Sequence, residues 1–125
     1  MKIIAAVDGT PNSEAALDAL VGMNLATDTE IKLVTVVRSD ETPLSFLWKG
    51  SSKDNLQQEF VEASENALNQ MVQELGKLIK GCKISAEVFQ GDAKTQISEA
   101  AKKWAADLII MGSRGNRGVD LIVLG

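Results

Sequence analysis

Ala106-Asp107-Leu108-Ile109-Ile110-Met111-Gly112-Ser113-Arg114-Gly115-Asn116-Arg117-Gly118-Val119-Asp120-Leu121-Ile122-Val123-Leu124-Gly125 is the stretch whose reading decides the fold. Residues 107–111 form a short, mostly apolar run ended by a glycine, as expected of a strand covered on both faces. The glycines that follow are spaced as Gly112, two residues, Gly115, nine residues, Gly125. Without a Cβ, successive N–H groups can turn toward an anion and phosphate oxygens can approach the main chain. Ser113 adds a hydroxyl, and Arg114 or Arg117 adds positive charge. The same spacing also fits a plain flexible connection.

Three more strand-like runs precede this one, at residues 2–7, 31–37 and 83–89. The first two are nearly continuous Ile, Val, Leu and Ala. The third alternates, with Ile84, Ala86 and Val88 against Ser85, Glu87 and Gln90, which places it at a sheet edge. Helical patterns separate the strands. One covers about residues 11–25, with Thr10 as N-cap and Pro11 in the first helical position. A second covers about 53–80, where Leu56, Phe60, Ala67, Leu68, Met71, Leu75, Leu78 and Ile79 recur at three- and four-residue spacing. The third covers about 93–105, capped by Asp92, with Ile97, Ala100, Ala101 and Trp104 on one face. Strand–helix alternation of this kind predicts an α/β fold with an open parallel sheet and helices on both faces. The long loop at residues 38–52 carries Pro43, Phe46 and Trp48, expected to pack on the domain or a partner rather than on a ligand.

The composition limits the chemistry. A chain of 125 residues fits one domain with its own core. The apolar fraction is 45% and mean hydropathy is near zero. A net charge of −4 argues against a general nucleic-acid or anionic-membrane surface. The absence of histidine excludes histidine triads and histidine zinc sites, and a lone cysteine, Cys82, excludes internal disulfides. Cys82 reads as an inert, partly buried thiol. The first residues lack the features of a signal peptide, and no apolar run reaches the roughly 20 residues that span a bilayer. A cytoplasmic location is the expectation.

In open parallel sheets, ligands bind beyond the carboxyl ends of the strands, where the strand order switches. Every unusual cluster here follows a strand: Asp8-Gly9-Thr10-Pro11, Arg38-Ser39-Asp40, Gly91-Asp92-Ala93 and the glycine loop. Neither standard phosphate motif is present. The P-loop lysine is missing, and strand one is followed by Asp8-Gly9-Thr10 rather than a dinucleotide fingerprint. Asp8 has two readings: a cap for the first helix, or a carboxylate that accepts ribose hydroxyls or helps hold a metal. Val7, with Val36 or Val37, offers an apolar wall for a base.

Residues 3–16 (IIAAVDGTPNSEAA), Gly91-Asp92-Ala93 and residues 106–115, with the glycine spacing, resemble the universal stress protein family over essentially the whole chain. That resemblance implies a Rossmann-like sheet of five parallel strands in order 3-2-1-4-5, with ATP at the strand ends in one branch. Asp8 then matches the acidic residue near ribose and metal, Val36 the residue beside adenine, and Gly112, Gly115 and Gly125 the phosphate-loop glycines, flanked by Ser113 and Arg114. The family pattern continues beyond Gly125 with a hydroxyl residue, a helix and a fifth strand. The expected sheet is therefore 3-2-1-4, with family strand 5 missing, strand four an exposed edge and residues 121–124 uncovered.

The function implied is an ATP-binding regulatory, stress-response module using ATP with Mg or Mn at Asp8. It would be at most a slow ATPase with no dedicated catalytic residue. The alternative is a nucleotide-independent interaction domain working through dimerisation. Expected partners are an adenine nucleotide and, where the C-terminal strand exists, a second copy of the chain, with no nucleic acid and no membrane.

Overall fold

A computed structural model describes residues 1–7, 11–37, 53–112 and 119–124. The elements in chain order are β1 (Lys2–Ala6), α1 (Pro11–Gly22), β2 (Glu30–Val37), α2 (Lys53–Leu78), β3 (Lys83–Gln90), α3 (Ala93–Trp104), β4 (Leu108–Gly112) and β5 (Val119–Val123). One sheet contains all five strands in the order β3-β2-β1-β4-β5. β1 lies parallel to β2 and to β4, and β2 lies parallel to β3.

β1 sits at the centre because both of its faces are apolar. Ile3, Ala5 and Val7 turn to one side and join Ala16 and Leu20 of α1 and Leu68 and Leu75 of α2. Ile4 turns to the other side and meets Val34, Ile109 and the α3 residues Ile97, Ala100 and Ala101. Alternation along a strand sends neighbours to opposite faces, so a strand apolar throughout requires helices on both sides. Each fully buried Ile or Leu stabilises by about 1.5–3 kcal/mol. A surface ion pair contributes about 0–1 kcal/mol, so this core outweighs the surface charges.

β3 is the edge strand its alternation predicts. Ile84, Ala86 and Val88 pack on the α2 side, while Lys83, Ser85 and Glu87 are exposed. Phe89 breaks the simple pattern by packing on the α3 side. The α2 stripe is present through Leu68, Met71, Leu75 and Ile79, with Val61 as a further buried member. Leu78, expected in that stripe, is 67% exposed at the last position of the helix. Asp92 caps α3 as expected, accepting from the Thr95 N–H at 3.0 Å and the Thr95 hydroxyl at 2.9 Å. Ala105 then ends the helix in the left-handed conformation, φ 57°. Thr10 and the 38–52 loop lie outside the described residues.

The order β3-β2-β1-β4 agrees with the sequence reading; the expectation that nothing covers β4 does not hold. Residues 119–123 return antiparallel along it, from Gly112↔Val119 to Leu108↔Val123, making the sheet mixed. The run Val-Asp-Leu-Ile-Val is rich in residues that favour strands, and pairing satisfies the main-chain groups an apolar edge would leave open. The chain at Leu124 therefore reaches the same end of the sheet as Lys2, where the Leu124 N–H donates to the Asp107 carbonyl at 2.8 Å.

A basic–aromatic cluster closes that end. Trp104 has the Lys32 ammonium 4.9 Å and the Lys2 ammonium 5.4 Å from its ring centroid. Lys2 Nζ also donates to the Trp104 carbonyl at 3.2 Å, satisfying a C-terminal group of α3. The indole explains how Lys32 is tolerated within an interior strand: the ring covers the aliphatic stem and attracts the charge. Trp104→Ala is expected to lower stability by about 2 kcal/mol, with Trp104→Phe losing less than half as much, measured by urea unfolding.

Candidate functional site

The strands do not end together. The β1–β2 ladder ends at Ala6↔Val34 and the β1–β4 ladder at Ala6↔Met111. The β2–β3 ladder continues to Val37↔Gln90, and the Gly91 N–H extends it by donating to the Val37 carbonyl at 3.0 Å. β2 and β3 thus continue to pair for three residues beyond the last β1 partner, at the carboxyl rim. The chain moves outward from β1 to β2 and β3, then crosses back to β4 on the other side of β1. The order reverses at that place, where open α/β sheets form ligand crevices.

Apolar side chains on both faces of the sheet and a few main-chain bonds surround the end of β1. Val7 and Val37 are buried, and half-buried Val36 packs with Ala6, Phe89 and Met111 against the α3-side core. The Val7 N–H donates to the Val34 carbonyl at 2.9 Å. The Thr35 hydroxyl donates to the Val7 carbonyl at 2.5 Å. Thr35 carries the one contact here that the sequence reading missed; its signal was a single hydroxyl within Leu33-Val34-Thr35-Val36-Val37.

Of the expected site residues, Val36 lies at this rim and Gly112 ends β4 at the same rim. Asp8, Ser113, Arg114 and Gly115 lie outside the described residues, as does Gly125. The strand ends that precede Asp8 and Ser113 in sequence are neighbours, with Ala6 opposite Met111. Leu124, the residue before Gly125, is at the other end of β4, bonded to Asp107.

Other features lie elsewhere. A groove of about 230 Å³ between α2 and β3 is lined by Glu65, Leu68, Asn69, Ala86, Glu87 and Val88, none of them an expected ligand residue. Among the described residues, no group of three or more Cys, Asp or Glu is placed to hold a metal ion. No helix among them is long and apolar enough to cross a membrane. Cys82 is a free, half-buried thiol whose Sγ lies 3.5 Å from the Ala26 carbonyl.

The sequence matches the universal stress protein family over residues 1–125, and the chain belongs to that family. It is 30% identical over 125 residues to a universal stress protein of Methanocaldococcus jannaschii, covering 99% of this chain and 71% of that protein. A universal stress protein family structure from Burkholderia pseudomallei superposes with a TM-score of 0.68 at 26% identity, covering 90% of this chain and 80% of that one. A family member from Arabidopsis thaliana, solved with AMP bound, has a TM-score of 0.60 at 17% identity, covering 92% and 77%.

Gly91 turns the chain from β3 into α3 at φ +130°, and a Cβ there would meet the Gln96 amide nitrogen at 3.2 Å. Gly91→Ala is expected to lower stability by about 2 kcal/mol, read as an earlier urea midpoint with an unchanged slope.

Proposed function

We propose that this chain is an ATP-binding regulatory module of the universal stress response. One observation carries the reading: Val36 and Gly112 end their strands at the carboxyl rim on either side of β1, at the switch in strand order. Val36 forms the wall for adenine. Asp8, which follows β1, accepts from the ribose hydroxyls and helps hold Mg or Mn alongside phosphate oxygens. Gly112, Ser113, Arg114 and Gly115 follow β4 and cradle the phosphates through main-chain N–H groups, a hydroxyl and a guanidinium. Gly125 completes the glycine spacing of the motif and lies outside the described residues. The AMP bound to the Arabidopsis relative supports an adenine nucleotide as the ligand class.

The apolar wall fits a purine, and a hard cation fits the oxygen donors of Asp8 and a triphosphate. When bound, the metal would neutralise phosphate charge. The chain contributes no imidazole base, so slow hydrolysis is the upper limit of its chemistry. ATP binding should be measurable by titration calorimetry, and Gly115→Val should weaken it at least about tenfold by intruding on the phosphate path. Equal affinities, or no binding by either protein, would overturn the proposal. Any ATP turnover should be lost in Asp8→Ala; a rate unaffected by that change removes Asp8 from metal or water positioning.

A second reading has its own observation. On β5, Ile122 is 44% and Val123 is 80% exposed, an apolar edge suited to a nucleotide-independent interaction module that dimerises. Nucleotide released from the purified protein on denaturation would count against it.

A further inference from the structure

We infer that the outer edge of β3 is a docking site for an extended segment of a partner protein that carries lysine or arginine; the nucleotide site plays no part in it. The Lys83 N–H donates to the Thr29 carbonyl and the Gly91 N–H to the Val37 carbonyl. The odd-numbered residues of β3 therefore turn their main-chain groups toward β2. Ile84, Ala86 and Val88 turn theirs the other way, where no strand pairs with β3 among the described residues. The edge is eight residues long and stays in register with β2 from Lys83 to Gln90, without a bulge or a proline. An edge of that kind accepts a further strand.

The open main-chain groups lie beside the groove between α2 and β3. Ala86, Val88 and the buried Leu68 give that groove, about 230 Å³ in volume, an apolar floor. Ala86, the smallest side chain on this face of β3, stands between Ile84 and Val88 and leaves the room. A strand added along the edge lays every second side chain into it. The charge of the groove selects those side chains. Its helix wall carries Glu65 and Asn69, and Glu62 stands one turn earlier on the same side of α2. Both carboxylates are exposed, and no lysine or arginine occurs between Asp54 and Gly76. A lysine or arginine stem can lie over Leu68, Ala86 and Val88 while its cation meets Glu65. A second copy of this chain is the poorer occupant, because self-pairing along β3 would bring two acidic rims together.

The probe is a fluorescein-labelled octapeptide of alternating lysine and threonine, which presents all its lysines on one face of a strand. Anisotropy titration at low salt should show wild type binding it and not its glutamate–threonine counterpart. The double variant Glu62→Gln/Glu65→Gln should bind about threefold to tenfold more weakly. Glu74→Gln/Glu99→Gln removes the same charge from exposed sites elsewhere and should stay within about twofold of wild type. A fully N-methylated octapeptide, which cannot donate to the edge, should lose at least about tenfold. By NMR, the amides of Ile84, Ala86 and Val88 should exchange quickly in the free protein and at least about tenfold more slowly at saturation. No binding by wild type overturns the inference, as do equal losses in the two double variants or undiminished binding of the methylated peptide. Binding that leaves those amides unprotected overturns it, and so does slow exchange before peptide is added, because the edge is then already filled. A dimer in sedimentation that the peptide dissociates assigns the edge to a second copy and overturns it too. None of these outcomes bears on ATP binding.

Discussion

Ile3, Ile4 and Ala5 of β1 are shielded from water on every side. Their main-chain groups are used by β2 on one edge and β4 on the other, and their side chains fill the core on both faces. Such a strand is stable only when every neighbour is in place, since unpaired buried main-chain groups cost as much as lost hydrogen bonds. The helix layers follow from it. So does the switch in strand order, which falls at the middle of the sheet rather than at an edge.

The two ends of the sheet are built for different purposes. At the amino end of β1, polar groups are matched. The Lys2 N–H donates to the Asp107 carboxylate at 2.8 Å, the Asp107 N–H returns a bond to the Lys2 carbonyl at 2.7 Å, and Trp104 lies beneath two ammonium groups. At the carboxyl end, among the described residues, Asp92 caps α3 and the Thr35 hydroxyl donates to the Val7 carbonyl.

Much of this was legible in the residues. Continuous apolar runs marked β1, β2 and β4; alternation marked the edge position of β3; and spacing marked α3, whose cap at Asp92 was read correctly. β5 was not, because Val119-Asp120-Leu121-Ile122-Val123 sits inside a glycine-spaced motif whose family pattern leads into a helix. Leu78 was misread because the helix ends there: it is exposed at the last helical position, while the next residue, Ile79, packs on the core. Family membership was legible from the strand ends. The site was legible only in part. Val36 and Gly112 lie at the rim, but no periodicity reveals that a threonine in a strand will take a carbonyl from its neighbour.

The pairing of Lys2 with Asp107 joins residues 105 positions apart. On the ribosome, β1 is made before its partner β4, which follows only after three helices and two strands. At roughly 5–20 residues per second, the most apolar strand waits on the order of 5–20 seconds for its second edge to be covered. Throughout that interval the nascent chain presents a sticky, half-zipped ribbon. Chaperone dependence during translation, rather than the melting temperature of the finished molecule, is where that wait would be felt.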